Sequence, residues 1–252
     1  MFKNKTVIIT GGASGIGLLS GRCFAKQGAN VVLADVNEDA LNEKVAELVA
    51  EGGRVIGIKC DVKNYEQVLA VRDQAIAEFG SIDILLSCAG GNECRILNRH
   101  EDFPDMPIEV YDWGIDVNLK GPFYFAHAVM KQMVRQQSGV IINIGSVTGE
   151  EGDKTGMAYP TAKSGIMYGL TRSLALYGAK HNIRAVCVTP GPVLTRPGMA
   201  NMTTLMDRAG EPQEIVNMIL FLASDKASFI TGTNHVVDGG RLIVPRPWGS
   251  SK

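Results

Sequence analysis

The sequence has no dominant charge. Its 25 Lys and Arg stand against 26 Asp and Glu, for a formal net charge of −1, and no basic run concentrates the positives. That balance leaves no electrostatic footprint for a nucleic acid or an anionic membrane surface. No apolar run reaches the length that crosses a bilayer. No basic stretch followed by an apolar one opens the chain, so the expected location is cytoplasmic. The five cysteines, Cys23, Cys60, Cys88, Cys94 and Cys187, show no C-x-x-C spacing. Their scatter and odd number argue for reduced, buried thiols over a disulfide framework. The four histidines, His100, His127, His181 and His235, lack metal-ligand spacing, so no metal is expected. No G-x-S-x-G elbow occurs, which removes the main support for a Ser-His-Asp hydrolase.

What is there is an alternation. Short Val- and Ile-rich runs at 6–10, 30–34, 55–59, 82–87, 140–144, 183–188 and 235–237 read as strands. They are apolar along most of their length, as strands covered on both faces are. Amphipathic helical patterns separate them. Leu41, Val45 and Leu48 share one helix face, with Asn37 as N-cap and Glu38 and Asp39 in the first turn. The pattern predicts an α/β fold in a single domain spanning 1–252, doubly wound, with a seven-stranded parallel sheet flanked by helices on both faces. Two stretches break the pattern. One, at 90–107, is polar and long for a connection. The other, at 190–212, is rich in Pro, Gly and Met and reads as a lid over about 191–211. Both follow strands, at the sheet edge where ligands bind in such folds.

Three groups of residues carry chemistry. The first is a glycine-rich turn, Thr10-Gly11-Gly12-Ala13-Ser14-Gly15-Ile16-Gly17, between the first strand and a helix. It brings backbone N–H groups and a helix N-terminus to a pyrophosphate. The second is Asp35, at the end of the second strand. It suits the ribose hydroxyls of an adenosine and repels a 2′-phosphate, and no Lys or Arg at Ser14, Val36 or Asn37 welcomes that phosphate; NAD is therefore expected over NADP. The third is Tyr159-Pro160-Thr161-Ala162-Lys163, with Ser146 upstream. Positions i and i+4 share a helix face. A free tyrosine is a poor base at neutral pH, and a neighbouring cation favours its phenolate.

Together these motifs resemble the short-chain dehydrogenase/reductase family nearly end to end. Asp61 and Val62 resemble its acidic step after the third strand. Ser87-Cys88-Ala89-Gly90 stands where the family usually has Asn-Asn-Ala-Gly, with the two amides replaced. Asn118 resembles its helix asparagine, and Pro190, Gly191, Val193 and Thr195 resemble the segment over the nicotinamide. The resemblance implies a Rossmann fold and a catalytic set of Asn118, Ser146, Tyr159 and Lys163. In that set Tyr159 exchanges the substrate proton, Lys163 assists it and holds the nicotinamide ribose, Ser146 binds the substrate oxygen, and Asn118 holds a relay water. The implied cofactor contacts are Gly11, Ser14, Gly15, Ile16, Gly17, Asp35, Asp61, Val62, Ala89, Gly90, Asn118, Tyr159, Lys163, Pro190, Gly191, Val193 and Thr195.

The expected reaction is NAD-dependent interconversion of a secondary alcohol and a ketone. Polar residues in the two irregular stretches and after Ser146, namely Asn92, Arg95, Thr148, Glu150 and Arg196, point to a polyol, sugar or sugar acid. The lid methionines Met199, Met202 and Met206 point to a steroid, bile acid or other apolar alcohol. A catalytically silent NAD-binding sensor or scaffold is the reading of another class. The resemblance also implies a homotetramer, or a homodimer, through two long helices at about 108–136 and 157–181. The stripe Ile166, Leu170 and Leu174 serves either that interface or the core. The tail from Leu242 to Lys252 either crosses to a neighbouring subunit or frays.

Overall fold

The computed structural model describes residues 1–244; the tail from 245 onward lies outside the described residues. The chain runs β1 (Thr6–Thr10), α1 (Gly15–Lys26), β2 (Asn30–Asp35), α2 (Glu38–Ala50), β3 (Arg54–Lys59), α3 (Tyr65–Phe79) and β4 (Ile84–Ser87). It continues through a short α4 (Glu93–Ile96), α5 (Ile108–Ile115), α6 (Gly121–Gln136), β5 (Gly139–Ile144), α7 (Thr148–Glu151), α8 (Ala158–Ser164) and α9 (Thr171–Gly178). β6 (Ile183–Pro190), α10 (Pro212–Ala223) and β7 (Asn234–Val237) complete it.

The seven strands form one parallel sheet in the order β3-β2-β1-β4-β5-β6-β7. Side chains alternate between its faces. Val7, Ile9, Leu33 and Ile142 pack with Phe24 of α1, Leu41 and Leu48 of α2, and Ile215 and Ile219 of α10. Ile8, Val32, Leu85 and Ile141 point the other way, to Val68 and Val71 of α3 and Phe125, Val129 and Met133 of α6. Each such side chain, fully buried, contributes roughly 1.5–3 kcal/mol. The inner strands β1 and β4 are buried along their whole length. Edge strand β3 is buried only at Val55 and Ile58, which pack on opposite faces of the sheet.

Local chemistry sets the helix starts. The Asn37 side chain accepts the Ala40 N–H at 3.1 Å and caps α2. Glu211 and Glu214 form a capping box on α10, with Pro212 in its first turn. The two long helices are not uniform. A π-helical turn, Asp116–Lys120, joins α5 to α6, and another, Gly165–Leu170, joins α8 to α9. Such turns are rare and concentrate at functional sites. Ile166 and Leu170 are buried in one apolar cluster with Met167 and Cys187, and Leu174 packs half-buried against it. Among the described residues no helix is long and apolar enough to cross a membrane.

Strand order reverses between β1 and β4. Loops leaving the carboxyl ends of the strands on either side diverge there and leave a crevice.

Candidate active site

That crevice is a cavity of about 1220 Å³. It runs from the ends of β2 and β3, past the glycine turn, to Ser146, Tyr159 and the lid.

At one end the glycine turn is tightly packed. Gly11 has φ +66°, and a Cβ there would stand 2.9 Å from the Ala89 nitrogen. A Cβ on Gly17 would stand 2.2 Å from the Gly11 carbonyl oxygen. α1 therefore starts hard against the turn. Its N-cap residue Ser14 makes no side-chain capping bond, so the first N–H groups remain available to an anion at the cavity wall. Asp35 accepts the Ala13 N–H through Oδ2 and the Asn37 N–H through Oδ1, each at 3.0 Å. It braces the turn while lining the cavity. Asp61 and Val62 border the same end, and Lys63 Nζ lies 3.5 Å from Asp61.

At the other end Lys163 is only 3% exposed. Its ammonium donates to the Ile144 carbonyl at 2.7 Å and stands 5.5 Å from the centre of the Tyr159 ring. The half-buried Tyr159 lines the cavity, and among the described residues its hydroxyl has no hydrogen-bond partner. Ser146 Oγ accepts the Thr148 N–H at 3.2 Å and donates to Thr148 Oγ1 at 3.0 Å. Asn118 is fully buried. Its amide donates to Gly91 O and Gly114 O, and Oδ1 accepts the Gly91 N–H, all at 2.9 Å. Asn118 and Lys163 flank Gly90 from two sides: a Cβ there would lie 2.4 Å from Asn118 Oδ1 and 3.5 Å from Lys163 Nζ.

The expected cofactor-contact residues Gly11, Ser14, Gly15, Ile16, Gly17, Asp35, Asp61, Val62, Ala89, Gly90, Tyr159, Lys163, Pro190, Gly191, Val193 and Thr195 all border this one cavity. Asn118 lies behind the wall. The expected substrate residues divide. Arg95 and Arg196 line the cavity and form no salt bridge among the described residues. Burial, then the neighbouring Arg196, pushes the Arg95 guanidinium below its ordinary range, while Tyr159 acts in the opposite sense; all three therefore share one electrostatic neighbourhood. Asn92 also lines the cavity, but its side chain caps α4 and donates to Asp153 at 3.2 Å. Thr148 is bonded to Ser146. Glu150 does not line the cavity: it sits on the outer side of α7 and accepts the Tyr168 hydroxyl, so it has no place at the substrate.

Trp113, on the helix across the cavity, lines it without having carried any sequence signal; Val117, beside the Asn118 motif, and Asp153, in the charged segment after Ser146, line it too. Ser87, where the family usually has an amide, keeps a buried hydroxyl without a partner. Burial pushes the Cys88 thiol to about 12, with Lys163 opposing. That shift disfavours the thiolate, the reactive form of a cysteine. Among the described residues no cluster suits a metal.

The family model described as enoyl-(acyl carrier protein) reductase matches residues 11–241. A 3-oxoacyl-[acyl-carrier-protein] reductase of Thermotoga maritima is 35% identical over 250 residues, covering 96% of this chain and 99% of that protein. A cyclohexanol dehydrogenase of Acinetobacter sp. is 35% identical over 244 residues, covering 94% and 95%. A solved short-chain type dehydrogenase/reductase of Mycobacterium ulcerans superposes with a TM-score of 0.86 at 28% identity, covering 96% of this chain and 90% of that one.

Proposed function

Because the chain belongs to the short-chain dehydrogenase/reductase family, we propose that it is an NAD-dependent oxidoreductase interconverting a secondary alcohol and a ketone, with Tyr159 as the acid–base group. The observation that carries this reading is the single cavity that holds the glycine turn at one end and the unpartnered Tyr159 hydroxyl, backed by Lys163, at the other. A silent scaffold has no physical use for that pairing.

A nicotinamide cofactor held in this cavity would supply or take up the hydride. The chain's own residues do the rest. Gly11 to Gly17 and the start of α1 would hold the pyrophosphate, and Asp35 would receive the adenosine ribose. In oxidation Tyr159 accepts the hydroxyl proton of the substrate, with the buried Lys163 ammonium 5.5 Å from the centre of its ring. Ser146 turns its hydroxyl from Thr148 to the substrate oxygen and steadies the charge that develops there. Asn118 holds the loop at Gly91: its amide donates to Gly91 O and Gly114 O, which leaves neither amide hydrogen for the relay water that the family resemblance implies.

NAD is favoured over NADP by the acid at Asp35 and by the engagement of Lys63 with Asp61. Asp35→Ala is expected to narrow the ratio of NAD to NADP kcat/KM by about tenfold or more. A wild-type enzyme that already prefers NADPH refutes the charge argument.

For the substrate, the two unpaired guanidiniums Arg95 and Arg196 favour an anionic polyol, a sugar acid or a related hydroxy acid, because the planar guanidinium fork matches a carboxylate. Met199 and Met202 also line the cavity and favour the second reading, an apolar secondary alcohol. A screen of sugar acids, polyols and cyclic alcohols with NAD, read as NADH absorbance, separates the two. Arg95→Ala is expected to raise KM about tenfold for carboxylate substrates and to leave neutral ones within twofold. Turnover confined to neutral alcohols, unaffected by Arg95→Ala, excludes the anionic substrate.

A further inference from the structure

Glu93 is a buried acid to which the proposed chemistry gives no part. Its exposure is 0%, and although it lies in the polar 90–107 stretch it does not line the cavity. A buried carboxylate is costly unless its oxygens are satisfied, and no salt bridge reaches this one among the described residues. Backbone compensates it instead. Oε1 accepts the Ala158 N–H at 2.8 Å and Oε2 accepts the Tyr159 N–H at 3.1 Å.

Those two N–H groups account for the free donors of the helix start. Ala158, Tyr159 and Pro160 open α8, and Met157 at its N-cap offers no side-chain bond. Pro160 has no N–H to satisfy. Thr161 N–H reaches the Met157 carbonyl at 3.4 Å. Glu93 therefore takes both donors that the turn leaves over, and its charge lies at the positive end of the helix. α5 closes the other side: a Cβ on Gly114 would stand 3.1 Å from Glu93 Cδ and 2.7 Å from Ala158 Cβ. The same stretch grips Asn118, through the two bonds of Gly91. Between 91 and 93 the chain thus clasps the side chain of Asn118 and the backbone of Tyr159.

We propose that Glu93 is a positioning residue whose carboxylate, through the Ala158 and Tyr159 amides, fixes where the Tyr159 phenol stands in the cavity. Its kinetic consequence rests on the dehydrogenase reading; the contact itself does not. Two converging N–H donors need two acceptor atoms. Gln offers one and turns an NH₂ against the second donor. Asp keeps both acceptors but sets them about 1.5 Å further back.

The test compares wild type, Glu93→Gln and Glu93→Asp as NADH complexes. Backbone amide exchange is followed at Ala158 and Tyr159, and NADH Kd by fluorescence titration. kcat and KM are measured with the alcohol the screen accepts and with its carbinol-deuterated form. Glu93→Gln is expected to speed exchange at these two amides by tenfold or more while the β5 amides keep their protection. It is also expected to lower kcat about tenfold, with KM and NADH Kd within twofold, and to enlarge the deuterium isotope effect. Glu93→Asp, with both acceptors present, recovers part of the rate. A Gln variant with kcat within twofold of wild type overturns the proposal. So does parallel loss of kcat and NADH affinity at an unchanged isotope effect, which marks a fold-wide role, or unchanged exchange at Ala158 and Tyr159. Wild-type enzyme inert toward every alcohol strikes the dehydrogenase reading alone, and amide exchange then decides whether the clasp exists.

Discussion

Tyr159→Phe lowers kcat by about 10³-fold while NADH binds with the wild-type Kd. The first half follows from the chemistry of the hydroxyl. A positioned acid–base group contributes about 10²–10⁴-fold, and the Tyr159 ring lines the cavity with its centre 5.5 Å from the buried Lys163 ammonium. The second half follows from the geometry. The lost oxygen has no protein partner, and Lys163 keeps its 2.7 Å bond to the Ile144 carbonyl without it. The ring stays, so the packing stays. Stopped-flow turnover and a fluorescence titration of NADH check the two halves separately. Turnover within tenfold of wild type removes Tyr159 from the chemistry.

Gly17→Ala weakens NADH binding by at least tenfold and lowers the melting temperature. The added Cβ would meet the Gly11 carbonyl oxygen at 2.2 Å, whereas carbon–oxygen contacts normally begin near about 3.3 Å. Neither group is the free end of a side chain, so α1 must retreat by about 1 Å from the turn. Its N–H groups then leave the position that holds a pyrophosphate. Overpacking of this kind costs about 1–3 kcal/mol, or several degrees of melting temperature in a chain of this size. Gly15→Ala is the control for space, since a Cβ there meets nothing within 4 Å, although its φ of +55° still carries strain. If Gly17→Ala binds NADH as wild type does, the turn is not the pyrophosphate cradle.

How much of the molecule was legible in its sequence depends on the range of the forces involved. The sheet was legible because covering both faces leaves β1 and β4 wholly buried, and the continuous apolar runs Val7-Ile8-Ile9 and Ile84-Leu85-Leu86 need no partner to be seen. The Asn37 cap was legible because its bond to Ala40 spans three residues. Charges in the irregular stretches were not. Sequence shows that Glu93, Glu150 and Arg95 are charged, but not which way each points. Glu150 turns outward to Tyr168, and Glu93 turns inward because its partners, Ala158 and Tyr159, lie in another helix. Thr148 lines the cavity, and the turn after β5 also bonds its hydroxyl to Ser146, a contact the sequence does not show. The π turns have no compositional mark: Asp116–Lys120 keeps an ordinary helical pattern.

Those turns have a consequence for the length of the chain. An α turn holds 3.6 residues, and a π turn takes in one more. Each therefore shifts the downstream helix one residue out of phase, about 100° around the axis. Asn118 can face the loop at Gly91 while Phe125, Val129 and Met133, further along the same rod, face the sheet. An uninterrupted α-helix of this sequence would satisfy one of those directions and lose the other. Loops elsewhere absorb an inserted or deleted residue. Between 116 and 120, and again between 165 and 170, the loss of one residue would rotate a core-forming helix away from its sheet, so these two helices are segments in which length, more than the identity of any single side chain, is held constant by the fold.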